Sequence, residues 1–197
     1  MIAILGATGD FGHGLAARFR ALGEDVLAGS RTPREGFVAN AEAARRAEVV
    51  FLSVPPEGVE TTARALAAEL AGKVVVSVAS PVVFRNGRPG AEPGPVSLAE
   101  AVAAAAPQAR VVAGFHTVSA RVLGRPEDVL DEDVLLAGDD AEAKATVAAL
   151  AERLVAGRAV DAGPLEVARW LETLTAVLLN VNRRYRAQSG IRVTGLP

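Results

Sequence analysis

The first twelve residues carry the pattern with the clearest chemical meaning. A short apolar run, residues 2–5, leads into a glycine-rich turn with Gly6, Gly9 and Gly12, and a helical pattern follows. A strand, a glycine turn and a helix in this order direct free backbone N–H groups and the positive end of the helix dipole toward one point, which suits a pyrophosphate. Glycines also let the chain turn tightly and the ligand come close. The turn therefore predicts a dinucleotide site, although its spacing is not the plain G-x-G-x-x-G.

A second signal follows the next apolar run, residues 25–30. Ser30 and Arg31 stand where NAD enzymes carry an acidic residue for the ribose 2′-hydroxyl, and Arg34 comes three residues later. A hydroxyl and guanidinium groups suit a 2′-phosphate, which accepts charge-assisted hydrogen bonds. We interpret the site as one for NADP rather than NAD. The alternative is that both arginines are solvated charges of a loop.

Other candidate site residues stand at the ends of predicted strands. They are Ser53 with Val54 and Pro55, residues 77–81, and His116 with Thr117. The carboxyl ends of parallel strands line the crevice in which open α/β sheets bind ligands. His116 could donate a hydrogen bond to a substrate or take part in proton transfer. It could equally be a structural histidine that caps the strand end.

Composition excludes several classes of function. The chain has no cysteine, so thiolate metal sites and cysteine nucleophiles are ruled out. The sequence contains no metal constellation, no serine nucleophile turn and no pair of carboxylates in an obvious cleft. Hydride transfer between two bound cofactors needs mainly proximity and orientation, so it is compatible with a sequence that lacks these catalytic groups. A net charge of −2 without charged blocks argues against nucleic acid and membrane surfaces, and we expect a cytoplasmic protein without metal.

The elements that would position these residues form an alternating pattern. Apolar runs without polar interruption are separated by helical patterns, which predicts an α/β fold: a Rossmann-like, doubly wound, mostly parallel sheet with helices on both faces. We expect a single NADP-binding domain over residues 1–197, with 162–197 as a C-terminal helical extension. Residues 57–70 are predicted as one helix and 82–95 as a long loop. Ser97 and Glu100 are predicted to form a capping box at the start of a helix over 96–106.

The last predicted helix, from Leu165 to about residue 186, is unusually apolar. Its stripe is wider than packing on its own sheet requires. Its members are Val167, Trp170, Leu171, Leu174, Val177, Leu178 and Val181. We expect a homodimer through this helix; the alternative is that the stripe closes the core within one chain.

Several motifs together resemble one family over nearly the whole chain. They are Gly-Ala-Thr-Gly-Asp-Phe-Gly at 6–12, Gly-Ser-Arg at 29–31, Ser-Val-Pro at 53–55, Val-Val-Val-Ser at 74–77, His-Thr at 116–117, Ala-Gly-Asp-Asp at 137–140, Asp-Ala-Gly-Pro-Leu at 161–165 and Leu-Asn-Val-Asn-Arg-Arg-Tyr at 179–185. The same motifs occur in the same order in NADPH-dependent coenzyme F420 reductases (F420H2:NADP oxidoreductases). The resemblance implies direct hydride transfer between nicotinamide C4 and deazaflavin C5, with the two rings stacked.

The resemblance also implies residue roles. The pyrophosphate would be held by Thr8, Gly9, Asp10 and Phe11, and the 2′-phosphate by Ser30, Arg31 and Arg34. The nicotinamide would be lined by Val54, Pro55, Val78 and Ala79, and the stacked rings by residues from His116 through Thr117 to Ala120. Members of the family have a helix and a strand after the Gly-Ser-Arg motif, but here only residues 32–48 are available, so we expect a more open adenosine end. Two other functions stay open: reduction by NADPH of another acceptor (a flavin, quinone or imine), and non-catalytic NADP sensing.

Overall fold

The fold was analysed in a computed structural model that describes residues 1–125 and 127–196. The strands are β1 (Ile2–Leu5), β2 (Val26–Ser30), β3 (Val38–Ala39), β4 (Val49–Leu52), β5 (Val74–Ser77), β6 (Val82–Arg85), β7 (Arg88–Ala91), β8 (Arg110–Gly114), β9 (Val134–Ala137) and β10 (Ala159–Gly163). The α-helices are α1 (Asp10–Ala21), α2 (Asn40–Arg46), α3 (Val59–Ala65), α4 (Ala67–Leu70), α5 (Leu98–Ala105), α6 (Ala120–Leu123), α7 (Ala141–Leu154) and α8 (Ala168–Tyr185).

Eight strands form one sheet in the order β10-β9-β8-β5-β4-β1-β2-β3. Every neighbouring pair is parallel except β8 and β9, which are antiparallel. The chain leaves β1 on one side to form β2 and β3, and it returns on the other side of β1 as β4. This reversal makes the crevice between β1 and β4 the topological switch point, where sheets of this kind bind ligands. The predicted Rossmann-like fold is confirmed.

The central strands are apolar on both faces because helices cover the sheet on both sides. On one face Ile4, Phe51 and Val76 pack with residues of α1 and α7. On the other face the alternate strand residues pack with residues of α2, α3, α5 and α8. Side chains of a strand alternate between its faces, so an unbroken apolar strand is the pattern that a two-sided core requires.

The predicted loop over residues 82–95 is wrong in its first part. Strands β6 and β7 form an antiparallel hairpin there, with Arg85 paired to Arg88. Asn86 and Gly87 between them have φ angles of 52° and 70°, the left-handed values that a two-residue type I′ turn needs. The Asn-Gly pair after an apolar run was the signal for this hairpin, and the abundance of glycine and proline obscured it.

The predicted helix over 57–70 is interrupted. Residues 56–58 form a single 3₁₀ turn, and α3 and α4 are separated at Leu66. The N–H of Leu66 donates to the carbonyl oxygens of both Thr62 and Ala63, which is the tightened geometry of a helix end. Leu66 and Leu70 are nevertheless both buried, as the apolar pattern of this segment predicts.

The segment after β2 is as short as the sequence indicates. No helix lies between β2 and β3, and β3 itself has only the residues Val38 and Ala39. The capping box at the start of α5 is confirmed: Ser97 Oγ accepts from the N–H of Glu100, and the Ser97 N–H donates to the Glu100 carboxylate. Within residues 1–125 and 127–196, no helix combines the length and the hydropathy that crossing a membrane requires.

Candidate functional site

A cavity of about 1440 Å³ opens at the carboxyl ends of the central strands. It brings together the predicted site residues except Gly12, and of the crevice residues 77–81 it includes Val78, Ala79 and Ser80 but not Ser77 or Pro81. The set that lines it is Gly6, Thr8, Gly9, Asp10, Phe11, Ser30, Arg31, Arg34, Ser53, Val54, Pro55, Val78, Ala79, His116, Thr117 and Ala120. These residues come from the ends of five neighbouring strands because parallel strands all end at the same edge.

The three glycines of the first turn occupy positions that require glycine for different physical reasons: backbone conformation, packing within the turn, or space for a ligand. Gly6 has φ +79°, and a methyl group there would overlap the carbonyl of Ser53, so the turn after β1 can lie against the end of β4 only with glycine. At Gly12 a methyl group would lie 2.9 Å from the Gly6 carbonyl oxygen, so this glycine serves packing within the turn. At Gly9 the nearest atom would be that same oxygen at 3.7 Å, an ordinary contact. The protein does not need a glycine at position 9 for its own packing, and the space there opens into the cavity.

The start of α1 offers backbone donors to this space. Gly9 is its N-cap and no side chain caps the helix, so the N–H groups of Asp10, Phe11 and Gly12 have no partner within the helix. His13 is the first residue whose N–H is bonded in the helical manner, to the carbonyl of Gly9. Free donors at the positive end of a helix of twelve residues suit a pyrophosphate. The turn therefore fits the dinucleotide that its sequence predicts.

The residues that follow β2 form one end of the cavity. Ser30 is nearly buried and accepts a hydrogen bond from the Thr32 N–H at 3.3 Å, while Arg31 and Arg34 are exposed. Among the residues described, the side chain of Arg31 makes no hydrogen bond or ion pair. Asn40 also lines this end, and its buried Oδ1 has no hydrogen-bond partner in the described part of the chain. The sequence analysis did not identify Asn40, because no local motif marks it as a ligand residue; packing of α2 beside β2 places it at the cavity.

The other end of the cavity is built around the loop after β8. Phe115 has φ +65°, a left-handed conformation that costs free energy for a residue with a side chain. Its ring is fully buried and packs edge-on against Phe51 with centroids 5.5 Å apart, which holds the backbone in place. The next residue, His116, is thereby directed to the cavity wall.

His116 is a neutral group at pH 7. Burial lowers the pKa of its imidazole to about 4, against a weak backbone contact at Ala79 that acts in the opposite direction. Neither ring nitrogen has a hydrogen bond of normal geometry within residues 1–125 and 127–196. A neutral imidazole carries one donor and one acceptor. A buried polar ring without partners costs free energy, so its place in the wall of a ligand cavity favours contact with a ligand.

The C-terminal helix supplies a wall that sequence reasoning did not assign to the site. Thr175, Leu178, Leu179 and Asn182 of α8 line the cavity, and so do Gln188 and Ser189 after it. Thr175 Oγ1 donates to the carbonyl of His116 at 2.6 Å and lies 2.6 Å from Ser80 Oγ, so α8 is fixed to the loops after β5 and β8. The apolar stripe of this helix, which includes Leu178, predicts a dimer interface or a core contact, and nothing in its pattern distinguishes a cavity wall from either.

The fold and the cavity together define the class of protein. A mostly parallel sheet with a switch point, a glycine turn at that point and an open cavity across the strand ends are the features of a Rossmann-type dinucleotide-binding oxidoreductase.

Comparison with known proteins narrows this class. Residues 1–81 match the family model described as NADP oxidoreductase, coenzyme F420-dependent. The F420-dependent NADP reductase of Methanocaldococcus jannaschii is 35% identical over 99% of this chain and 98% of that protein. The enzyme of the same name from Methanothermobacter thermautotrophicus is 34% identical over 100% of this chain and 95% of that protein.

A solved structure agrees with the sequence comparisons. The crystal structure of a proposed F420-dependent NADP reductase from Arthrobacter sp. FB24 superposes with a TM-score of 0.86 at 29% identity, over 98% of this chain and 99% of that one. The chain belongs to the family of F420-dependent NADP reductases.

Proposed function

We propose that this protein transfers a hydride between NADP(H) and coenzyme F420. One observation carries the proposal: a single cavity runs from the arginines after β2, past the glycine turn, to the loop after β8 and the wall of α8. From β2 to β8 the sheet has four strand spacings, about 19 Å, which is enough for an extended dinucleotide with a second ring system beside its far end. NADPH supplies the hydride from its nicotinamide ring, and the deazaflavin ring of F420 accepts it.

The chain's own residues bind and orient these molecules. The backbone donors at the start of α1 hold the pyrophosphate, with Thr8 and Gly9 beside it. Ser30 and Arg31 hold the 2′-phosphate, and Arg34 lines the same end of the cavity. Val54, Pro55, Val78 and Ala79 provide the apolar surface for the nicotinamide. Orientation of two rings at contact distance supplies most of the catalysis that hydride transfer needs.

The loop from His116 to Ala120 faces the second ring system in this proposal. His116, neutral because it is buried, donates or accepts one hydrogen bond at the polar edge of that ring. Thr117 and Ala120 line the same wall, and Leu178 and Leu179 of α8 exclude water from it. Exclusion of water strengthens the hydrogen bonds in the site and prevents side reactions of the reduced rings.

Absorbance of the deazaflavin tests the reaction directly. Purified protein mixed with NADPH and oxidised F420 should bleach the F420 band, and NADP with reduced F420 should restore it. Tight NADPH binding without either change would reject F420 as the acceptor. A panel of flavins, quinones and imines, followed through NADPH oxidation, would then separate another reductase from a protein that only binds NADP.

The preference for NADP has its own test. Arg31→Ala should weaken NADPH much more than NADH, because only NADPH carries the 2′-phosphate that the guanidinium binds. Arg184→Ala is the matched control, since Arg184 is an exposed arginine of α8 that does not line the cavity. Equal loss for both cofactors would contradict the assignment of Arg31.

We also propose a homodimer through α8. Trp170, Val177 and Tyr185 are 67, 56 and 71% exposed, and together with Leu174 and Val181 they lie along one face of the helix at spacings of three and four residues. That spacing is typical of helices that pack against each other. Leu171, by contrast, is buried within the chain, so the apolar stripe serves two surfaces.

In this proposal residues 1–197 form a single domain in which 162–197 close the cavity, and the protein works in the cytoplasm, where NADPH is supplied.

Mass in solution tests the dimer. Val177→Asp should shift the protein from dimer to monomer in sedimentation or light-scattering measurements, because a charge would be buried in the interface. Val129→Asp is the control: Val129 is 72% exposed, lies in a loop and does not belong to the apolar stripe of α8. A wild-type protein that is monomeric at micromolar concentration would contradict the proposal.

A further inference from the structure

The connection from β2 to β3 is unusual for two parallel strands. It consists only of residues 31–37, whereas a parallel crossover ordinarily takes about a dozen residues or more and contains a helix. A tight turn replaces the helix. The Phe37 N–H donates to the Arg34 carbonyl at 2.8 Å and the Arg34 N–H donates to the Phe37 carbonyl at 3.4 Å, with Gly36 at φ +78° between them.

This turn places the side chain of Arg34 on the ring of Phe37. The guanidinium carbon lies 4.8 Å from the ring centroid, within the range of a cation–π contact. Phe37 is partly buried and packs against the core, so the ring is anchored. Arg34 itself lines the cavity, and within residues 1–125 and 127–196 its guanidinium has no carboxylate partner.

We propose that Arg34, held by Phe37, is the platform on which the adenine ring of NADP stacks. The proposal rests on the NADP site proposed above and adds the recognition of its adenosine end. A guanidinium is planar and stacks on aromatic faces, and that of Arg34 already lies over the Phe37 ring. A side chain fixed in advance loses less conformational freedom when the ligand binds. The short connection between β2 and β3 thus supplies the Arg34–Phe37 pair as the surface for adenine, although it contains no helix.

Stacking and phosphate binding by Arg34 give different results. Arg34→Ala should weaken NADPH and NADH alike, each by about tenfold, because both contain adenine. Reduced nicotinamide mononucleotide, which lacks the adenosine, should bind the variant and the wild type equally. Arg34→Lys should behave like Arg34→Ala, since lysine keeps the charge but has no plane to stack. Isothermal titration of the three ligands measures these affinities.

Two outcomes would overturn the proposal: a loss for NADPH alone, or recovery of wild-type affinity by Arg34→Lys. Either would make Arg34 a partner of the 2′-phosphate only. Failure of the underlying NADP site would look different, because the wild-type protein would then bind none of the three ligands or would not prefer NADPH.

Phe37 is a positioning residue in this proposal. Phe37→Leu keeps the apolar volume but removes the ring, so NADPH and NADH should each bind a few-fold more weakly, and Phe37→Tyr should restore both affinities. Phe84→Leu is the control, because Phe84 is an exposed ring of β6 outside the cavity. Unchanged affinity for NADH in Phe37→Leu would refute the role of the ring, and the melting temperature of each variant shows whether the fold is intact.

Discussion

Replacement of Gly9 by alanine separates ligand binding from folding more sharply than any other change in the turn. An added methyl group would meet only the Gly6 carbonyl oxygen, at 3.7 Å, and the φ and ψ of Gly9, −83° and 159°, are open to alanine. Alanine is a poorer N-cap than glycine, but it loses less chain entropy on folding. These two effects oppose each other, so the free energy of unfolding should change by less than about 1 kcal/mol.

Binding should change far more. Gly9 lines the cavity beside the free N–H groups of Asp10 and Phe11, so we expect the added methyl group to obstruct the approach of the pyrophosphate to them. Loss of two charge-assisted hydrogen bonds costs about 3 kcal/mol or more, which corresponds to roughly a hundredfold weaker binding of NADPH. Titration calorimetry and thermal unfolding of the same samples measure both quantities.

Two further glycine variants complete this experiment. Gly12→Ala should lower the free energy of unfolding by about 1–3 kcal/mol, since its methyl group would lie 2.9 Å from the Gly6 carbonyl oxygen and 3.0 Å from the Ala7 Cα. Gly90→Ala, in β7 and outside the cavity, should change neither quantity, because its methyl group would meet only Val83 at 3.9 Å. Normal NADPH affinity in Gly9→Ala, or a loss of stability equal to that of Gly12→Ala, would refute the reasoning.

Three more predictions concern stability. Burial raises the pKa of Glu132 to about 7, so the folded state keeps a proton between about pH 4.5 and 7 that the unfolded state has lost, and stability falls as pH rises through this interval. Glu132→Gln should remove this fall, which is about 2 kcal/mol between urea unfolding at pH 5 and at pH 7.5. Identical pH dependence in both proteins would contradict the prediction. Thr175→Val leaves the His116 carbonyl without its donor and should cost about 1–2 kcal/mol in the same assay, whereas wild-type stability would show that the bond contributes nothing. Ser97→Ala removes the side-chain acceptor of the Glu100 N–H and should cost about 1 kcal/mol, seen as a lower melting temperature.

Features that depend on neighbours in the chain were readable from the sequence. The strand–turn–helix order of residues 2–21, the apolar strands β4 and β5 and the capping box of α5 each follow from a pattern of a few consecutive residues. The hairpin at Asn86 and Gly87 belongs to the same category. Its Asn-Gly pair indicates a two-residue turn, although the glycines and prolines around it favoured a loop.

Features that depend on distant residues were decided only by the tertiary structure. Packing of α8 brings Thr175 to the carbonyl of His116 and makes the helix a wall of the cavity, and no local pattern contains that contact. The neutral state of His116 follows from its burial, which is a property of the assembled core. The sequence by itself thus determined which local motifs could bind a dinucleotide and in which order they follow the strands, from the glycine turn to the Gly-Ser-Arg motif. Only the tertiary structure decided which side chains close the cavity, because contacts across more than fifty residues are set by how the sheet and α8 pack.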